Sequence, residues 1–184
     1  MSAKNRGAVT KDYDFYATPL IAITKFLEKY DVDMNNKSVL EPCAGNGSIS
    51  KEIKNKYPNC KLHQIEIREE EEESLSQFGS VDIDNFLSYE TNEKYDFIVT
   101  NPPYTYAREF IEKCFELSHE NTQIAMLLRL NFLGSKKRQD FWSKYPVDHL
   151  YVLSSRPSFT GKGTDATEYA WFVWNAGSKN IVVV

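Results

Sequence analysis

The stretch "KSVLEPCAGNGSISKEIKNKYP", residues 37–58, decides the fold. A short apolar run over 37–42 closes in a turn containing Gly45 and Gly47, and "GSISKEIKNKYP" then carries a helical apolar period until Pro58 ends it. Strand, turn and helix in that order are the opening of an α/β unit. The strand delivers Glu41, and the two glycines let the backbone bend closely around a ligand at the start of the helix, which outlines a nucleoside-cofactor site. A dinucleotide fingerprint requires a further glycine at position 50, where Ser50 stands, and no Gly-Lys-Ser/Thr follows to build a phosphate loop. Pyrophosphate ligands are therefore disfavoured.

Working outward, Glu66 ends the next apolar run, "CKLHQIEI" at 60–67, about twenty residues beyond the glycine turn, where an acid can accept both hydrogen bonds of a ribose diol. Further strands are predicted over "SVDIDNFL" at 80–87, "KYDFIVTN" at 94–101, "TQIAMLLRL" at 122–130, "DHLYVLSS" at 148–155 and "EYAWFVWN" at 168–175. With the first two they make seven, alternating with helical patterns, and alternation implies a parallel α/β sheet. Helices are expected from "TPLIAITKFLEKY", with Thr18 as N-cap and Pro19 at the first position, and from "REFIEKCFELSH" and the basic "SKKRQDFWSKY". The acidic run Glu69 to Glu73 is a solvated first helical turn.

The chain's 184 residues fit one domain, predicted over 13–184, preceded by a mobile basic arm over 1–12 that carries Lys4, Arg6 and Lys11. No separate target-recognition domain is expected. Formal charge is -4, so any contact with nucleic acid must be local. Cys43, Cys60 and Cys114 are odd in number and lack metal-ligand spacing, which implies reduced thiols, no metal and a cytoplasmic protein. No stretch approaches the apolar length needed to span a bilayer.

The fourth strand runs into "NPPY", where Asn101 is followed by Pro102, Pro103 and Tyr104. Read alone this is a proline turn with a capping asparagine and a core tyrosine. Together with "EPCAGNG" it resembles the S-adenosylmethionine-dependent amino-methyltransferases with an NPPY motif. "DFYATP" at 14–19 is similar to that family's N-terminal cofactor-contacting segment, and "RPSFTGKGTDATEYAWFVW" at 156–174 resembles the C-terminal part of small phage-type DNA N6-adenine methyltransferases. The resemblance covers roughly residues 14–175.

The resemblance implies a Rossmann-like class I methyltransferase fold: a seven-stranded, mostly parallel sheet with an antiparallel last strand and helices on both faces. It implies S-adenosyl-L-methionine as cofactor and DNA as partner, in a bacterial or phage-infected cell, with a partner subunit or homo-oligomer left open. Glu41, Cys43, Ala44 and Gly45 would line the methionine and ribose side, Glu66 would hold the ribose hydroxyls, and Asp84 or Asn85 would contact the cofactor's adenine. Phe15, Tyr16 and Thr18 would contact the cofactor from the N-terminal segment, Phe15 and Tyr16 being alternatively core aromatics.

The N6 amine of adenine is a poor nucleophile because its lone pair is delocalised into the ring. The Asn101 side-chain carbonyl and the Pro102 carbonyl can accept its two hydrogens and favour a pyramidal nitrogen. Pro102 and Pro103 stiffen the turn, and Tyr104 offers a face on which a flipped base stacks. Arg129, Arg156, Phe159 and Lys162 are the expected substrate contacts, with Gly161 and Gly163 making their loop a mobile phosphate-contacting lid. Lys136, Lys137 and Arg138 either extend a basic strip there or form a solvated helix face. The same chemistry on RNA or on a protein glutamine, and a catalytically inert cofactor-binding subunit of a nucleic-acid complex, are the rival readings.

Overall fold

A computed structural model describes residues 17–159, 163–175 and 180–183 of the chain, the last of these as backbone only. The expected basic arm therefore lies outside the described residues. The elements run α1 (Leu20–Lys29), β1 (Ser38–Pro42), α2 (Ser48–Lys56), β2 (Lys61–Glu66), α3 (Glu72–Ser76), β3 (Ser80–Ile83), β4 (Tyr95–Thr100), α4 (Ala107–Glu116), β5 (Ser118–Arg129), α5 (Gln139–Lys144), β6 (His149–Val152), β7 (Tyr169–Trp174) and β8 (Asn180–Val183). All seven expected strands are present, in the order β3-β2-β1-β4-β5-β7-β6, with β8 added beyond β6 as an eighth. Among the described strands β7 alone is reversed, antiparallel to both β5 and β6, and β8 pairs β6 in parallel.

Successive residues of the central strands go to opposite faces, and both faces are covered, which is why these strands are continuously apolar. On one side Val39, Val99, Ala125, Leu127 and Trp171 pack with Ile23, Phe26 and Leu27 of α1 and with Ile49 and Ile53 of α2. On the other, Leu40, Ile98, Ile124, Met126 and Phe172 pack with Phe110 and Ile111 of α4 and Phe141 of α5. Helix α1 is anchored through Trp171, whose indole N–H donates to the Ala22 carbonyl at 3.0 Å and whose ring stacks on Phe26 at 4.4 Å.

Three boundaries differ from the sequence expectation. Pro19, not Thr18, occupies the cap of α1, and Thr18 makes no capping hydrogen bond. Strand β3 stops at Ile83 because Asn85 Oδ1 accepts the Leu87 N–H and turns the chain, which sends Phe86 into the core against Phe110. Strand β5 starts at Ser118, inside the stretch whose pattern is helical, after α4 closes with the Leu117 N–H on the Lys113 carbonyl. Among the described residues no helix is long and apolar enough to cross a membrane.

One carboxyl is folded into this core region. Glu41, at the end of β1, is 1% exposed and accepts the hydroxyl of Ser50 from α2. Burial raises its pKa to about 8; the Ser50 hydrogen bonds oppose the shift, and the nearby Glu66 charge adds to it.

Two stability tests follow from this packing. Trp171→Ala removes a fully buried indole together with the α1 anchor and should destabilise the fold by about 3–5 kcal/mol in urea unfolding; a loss below 1 kcal/mol would contradict the packing. For Glu41, the native pKa lies above the unfolded one, so stability is greatest below the unfolded pKa and is lost as pH rises toward the native value of about 8. Glu41→Gln retains an acceptor for Ser50 and should therefore match wild type near pH 5 and exceed it in Tm near pH 9; parallel pH–Tm curves would refute the buried-acid reading.

Candidate active site

The carboxyl ends of β1, β2 and β4 lie side by side, because β2 and β4 both pair with β1 in parallel. Sheet order reverses between β1 and β4, the place where open α/β sheets form a crevice. At the exit of β1 the backbone passes through positive φ at Cys43 (58°), Gly45 (61°) and Gly47 (76°). The turn is tied to β2: the Ala44 N–H donates to the Ile65 carbonyl at 3.0 Å and the Gly45 N–H to Glu66 Oε2 at 2.6 Å.

The two glycines have different reasons for being glycine. Gly45 lines the cavity described below, as expected of a residue that lets a ligand approach. Gly47 is not among the lining residues; a Cβ there would meet the Phe78 ring at 2.9 Å, so its small size serves packing of the loop after α3. Cys43 holds a left-handed conformation that costs a non-glycine residue on the order of 1 kcal/mol. Its Sγ lies 3.2 Å from Thr100 Oγ1, and the Thr100 hydroxyl donates to the Pro42 carbonyl, so β1 and β4 are joined at their ends. Burial pushes the Cys43 thiol far up, which disfavours the thiolate.

Glu66 is buried, and its carboxylate is oriented from two sides. Oε2 takes the Gly45 N–H, and Oε1 takes the Arg68 N–H at 3.1 Å and the Arg68 Nε at 2.9 Å. Arg68 also reaches Glu71 at 2.9 Å, so part of the acidic run serves to position this arginine. Beyond it, Asp84 and Asn85 are both exposed on the cavity wall. The Asp84 carboxylate accepts the Asn85 N–H at 2.6 Å, and the Asn85 side-chain oxygen accepts the Leu87 N–H at 3.1 Å.

Asn101 follows β4, and its carboxamide is held at both ends. Nδ2 donates to Thr18 Oγ1 at 3.0 Å, and the Tyr104 hydroxyl donates to Oδ1 at 2.8 Å. Thr18 thus has a structural task that its N-cap spacing conceals. Pro103 (φ -57°) leads into the next turn, its carbonyl accepting the Tyr106 N–H at 2.9 Å.

A cavity of about 620 Å³ joins these pieces, within the size range of small-molecule sites. Its walls include Thr18, Glu41, Cys43, Ala44, Gly45, Glu66, Asp84, Asn85, Asn101, Pro102, Pro103 and Tyr104. Of the remaining expected site residues, Phe15, Tyr16 and Lys162 lie outside the described residues. Arg129, Arg156 and Phe159 are not on the cavity wall. Arg156 forms an ion pair with Glu168 at 2.8 Å, Arg129 lies over the Tyr104 ring at 5.0 Å, and the Phe159 ring centre is 6.4 Å from that of Tyr104. Arg138 is turned inward onto the Phe132 carbonyl at 2.6 Å.

Sequence reasoning missed Arg68, Ile67 and Tyr106 on the wall. Ile67 and Tyr106 are 41% and 51% exposed, and an apolar residue directly after the strand-ending acid was the available signal for the first.

No protein-family model matches the chain. Its sequence is 29% identical over 126 residues to the type II methyltransferase M.CvrRI of Paramecium bursaria Chlorella virus XZ-6E. The match covers 56% of this chain, which spans about a third (33%) of that relative's length. Its structure is similar to a Pyrococcus horikoshii protein assigned as an RNA methyltransferase (TM-score 0.70, 18% identity, 92% of this chain and 90% of that one). It is also similar to the methyltransferase subunit of a type I restriction-modification system from Streptococcus thermophilus (TM-score 0.65, 13% identity, 92% and 47%). With the strand order and the reversed β7, these likenesses show that the chain has the Rossmann-like class I methyltransferase fold and resembles S-adenosylmethionine-dependent methyltransferases.

Proposed function

We propose that this chain transfers a methyl group from S-adenosyl-L-methionine to the N6 amino group of adenine in DNA. The observation that carries the reading is that the doubly held Asn101 carboxamide shares one cavity with the glycine turn and with Glu66. The residues present suit a nucleoside cofactor. Glu66 keeps lone-pair capacity on Oε2 for a ribose hydroxyl. Ile67, Phe86 and Leu87 supply apolar wall for a base, with the Asp84 and Asn85 side chains at its polar edge. Glu41, Cys43, Ala44 and Gly45 border the remainder. When bound, the cofactor supplies a methyl group on a positively charged sulfur.

The chain's own part is orientation and charge. Asn101 Oδ1 keeps one lone pair beyond that used by the Tyr104 hydroxyl, and with the Pro102 carbonyl it accepts the amine hydrogens and favours a pyramidal nitrogen. As positive charge develops on that nitrogen, the acceptors are already in place, so little reorganisation is needed. Thr18 keeps the carboxamide from rotating its donor face toward the amine. A base leaving a duplex regains part of its stacking energy against an aromatic wall containing Tyr104. Substrate recognition is assigned to the loops at 129–140 and 156–168 or to another subunit. The likeness to a type II methyltransferase supports a DNA target, and RNA is the competing acceptor.

Digestion of nucleic acid incubated with protein and labelled cofactor, followed by mass analysis of the nucleosides, should find N6-methyladenine from DNA. Asn101→Ala should cut its formation by about 10²–10³-fold while cofactor affinity stays within a few-fold. Label in another nucleoside or in protein, or full activity in the alanine variant, would overturn the assignment.

A further inference from the structure

Building on that reading, we infer that Arg129 is a positioning residue: it acts on the reaction through Tyr104 and is not a phosphate contact. Its guanidinium carbon stands 5.0 Å from the centre of the Tyr104 ring. Its Nε donates to the Tyr169 hydroxyl at 3.0 Å, and that hydroxyl donates to Asp165 Oδ2 at 2.6 Å. Arg129 Nη2 lies 3.8 Å from the same carboxylate oxygen. The Tyr169 ring is fully buried, with its centre 5.5 Å from that of Tyr104, and Phe159 closes the group at 5.2 Å from Tyr169.

Three segments meet in this cluster: the end of β5, the start of β7 and the connection between β6 and β7. The Asp165 N–H donates to the Pro157 carbonyl at 2.9 Å, so both described arms of that connection are tied to it. A guanidinium can place a cation on a ring face and a directed N–H on a hydroxyl together, whereas an ammonium supplies the charge without the fixed fork. Because the Tyr104 hydroxyl donates to Asn101 Oδ1, the attitude of the ring is passed directly to the carboxamide that faces the amine. Asp165 offsets the arginine's charge, as Glu168 offsets that of Arg156, so two cations whose position suggests phosphate binding are held by acids of the neighbouring connection.

The test uses Arg129→Lys and Tyr169→Phe, each checked for wild-type-like thermal unfolding, with DNA methylation measured across substrate and salt concentration. A positioning role predicts kcat lowered by about ten- to a hundredfold, KM for DNA and the salt dependence of binding unchanged, and a double variant no worse than the poorer single one. Retained kcat in Arg129→Lys, together with a charge-removing Arg129→Gln variant whose DNA binding is weaker and whose salt slope is reduced by about one, would overturn it in favour of a phosphate contact. If wild-type protein methylates no nucleic acid, the proposed function fails, and the inference is then decided by the ring signals of Tyr104 in ¹³C-tyrosine-labelled protein, assigned with Tyr104→Phe. Signals shifted or broadened by Arg129→Lys uphold it, and signals identical to wild type refute it.

Discussion

Asn101 sits between two hydroxyls, and each belongs to a different part of the molecule. Thr18, just before α1, takes its Nδ2 hydrogen, and Tyr104, beyond the two prolines, gives a hydrogen to its Oδ1. The carboxamide cannot rotate without breaking both bonds at once. Its orientation then depends on elements far away in sequence, since α1 is fastened by Trp171 of β7 through the Ala22 carbonyl and through stacking on Phe26. A buried core contact on one side of the sheet thus fixes a polar group at its edge.

The remainder of the cavity depends on the same edge being stiff. Thr100 and Cys43 join the ends of β4 and β1, while Gly45 and Glu66 join those of β1 and β2. Three adjacent parallel strands therefore end in a backbone that is cross-linked by side chains, where an open crevice would otherwise leave loose loops. The left-handed Cys43 and the buried Glu41 are both unfavourable locally, and both lie on the cavity wall. Strain and buried acid concentrated at one rim fit a site selected for geometry over stability.

Much of this was legible in the residues. Short apolar runs in "SVLEP", "YDFIVT" and "YAWFVW" located strands that bury both faces, and the spacing from Gly45 to Glu66 placed a turn and an acid that prove to be hydrogen-bonded. "NPPY" was readable as a rigid exit from β4. What pattern could not show was pairing across the fold. Thr18 has N-cap spacing yet bonds to a residue 83 positions away, and Gly47 looks like a ligand glycine yet makes room for Phe78. Arg129 and Arg156 have the composition of a phosphate-binding surface, but Asp165 and Glu168 partner them. The β-branched Ile181, Val182 and Val183 carry a strand signal that sequence reasoning missed, and pairing with β6 identifies them as β8. Local propensity carries information over a few residues, and these features are set by contacts between segments.

On the proposed reading, one cavity orients a nucleoside cofactor from Glu66 at one end to Asn101 at the other. A crystal structure of the protein with S-adenosylhomocysteine tests it most directly. The expected result is the ribose hydroxyls on Glu66, the adenine beside Asp84 and Asn85, and the sulfur directed at Asn101. A ligand bound outside this cavity, or one with its sulfur turned away from Asn101, would contradict it.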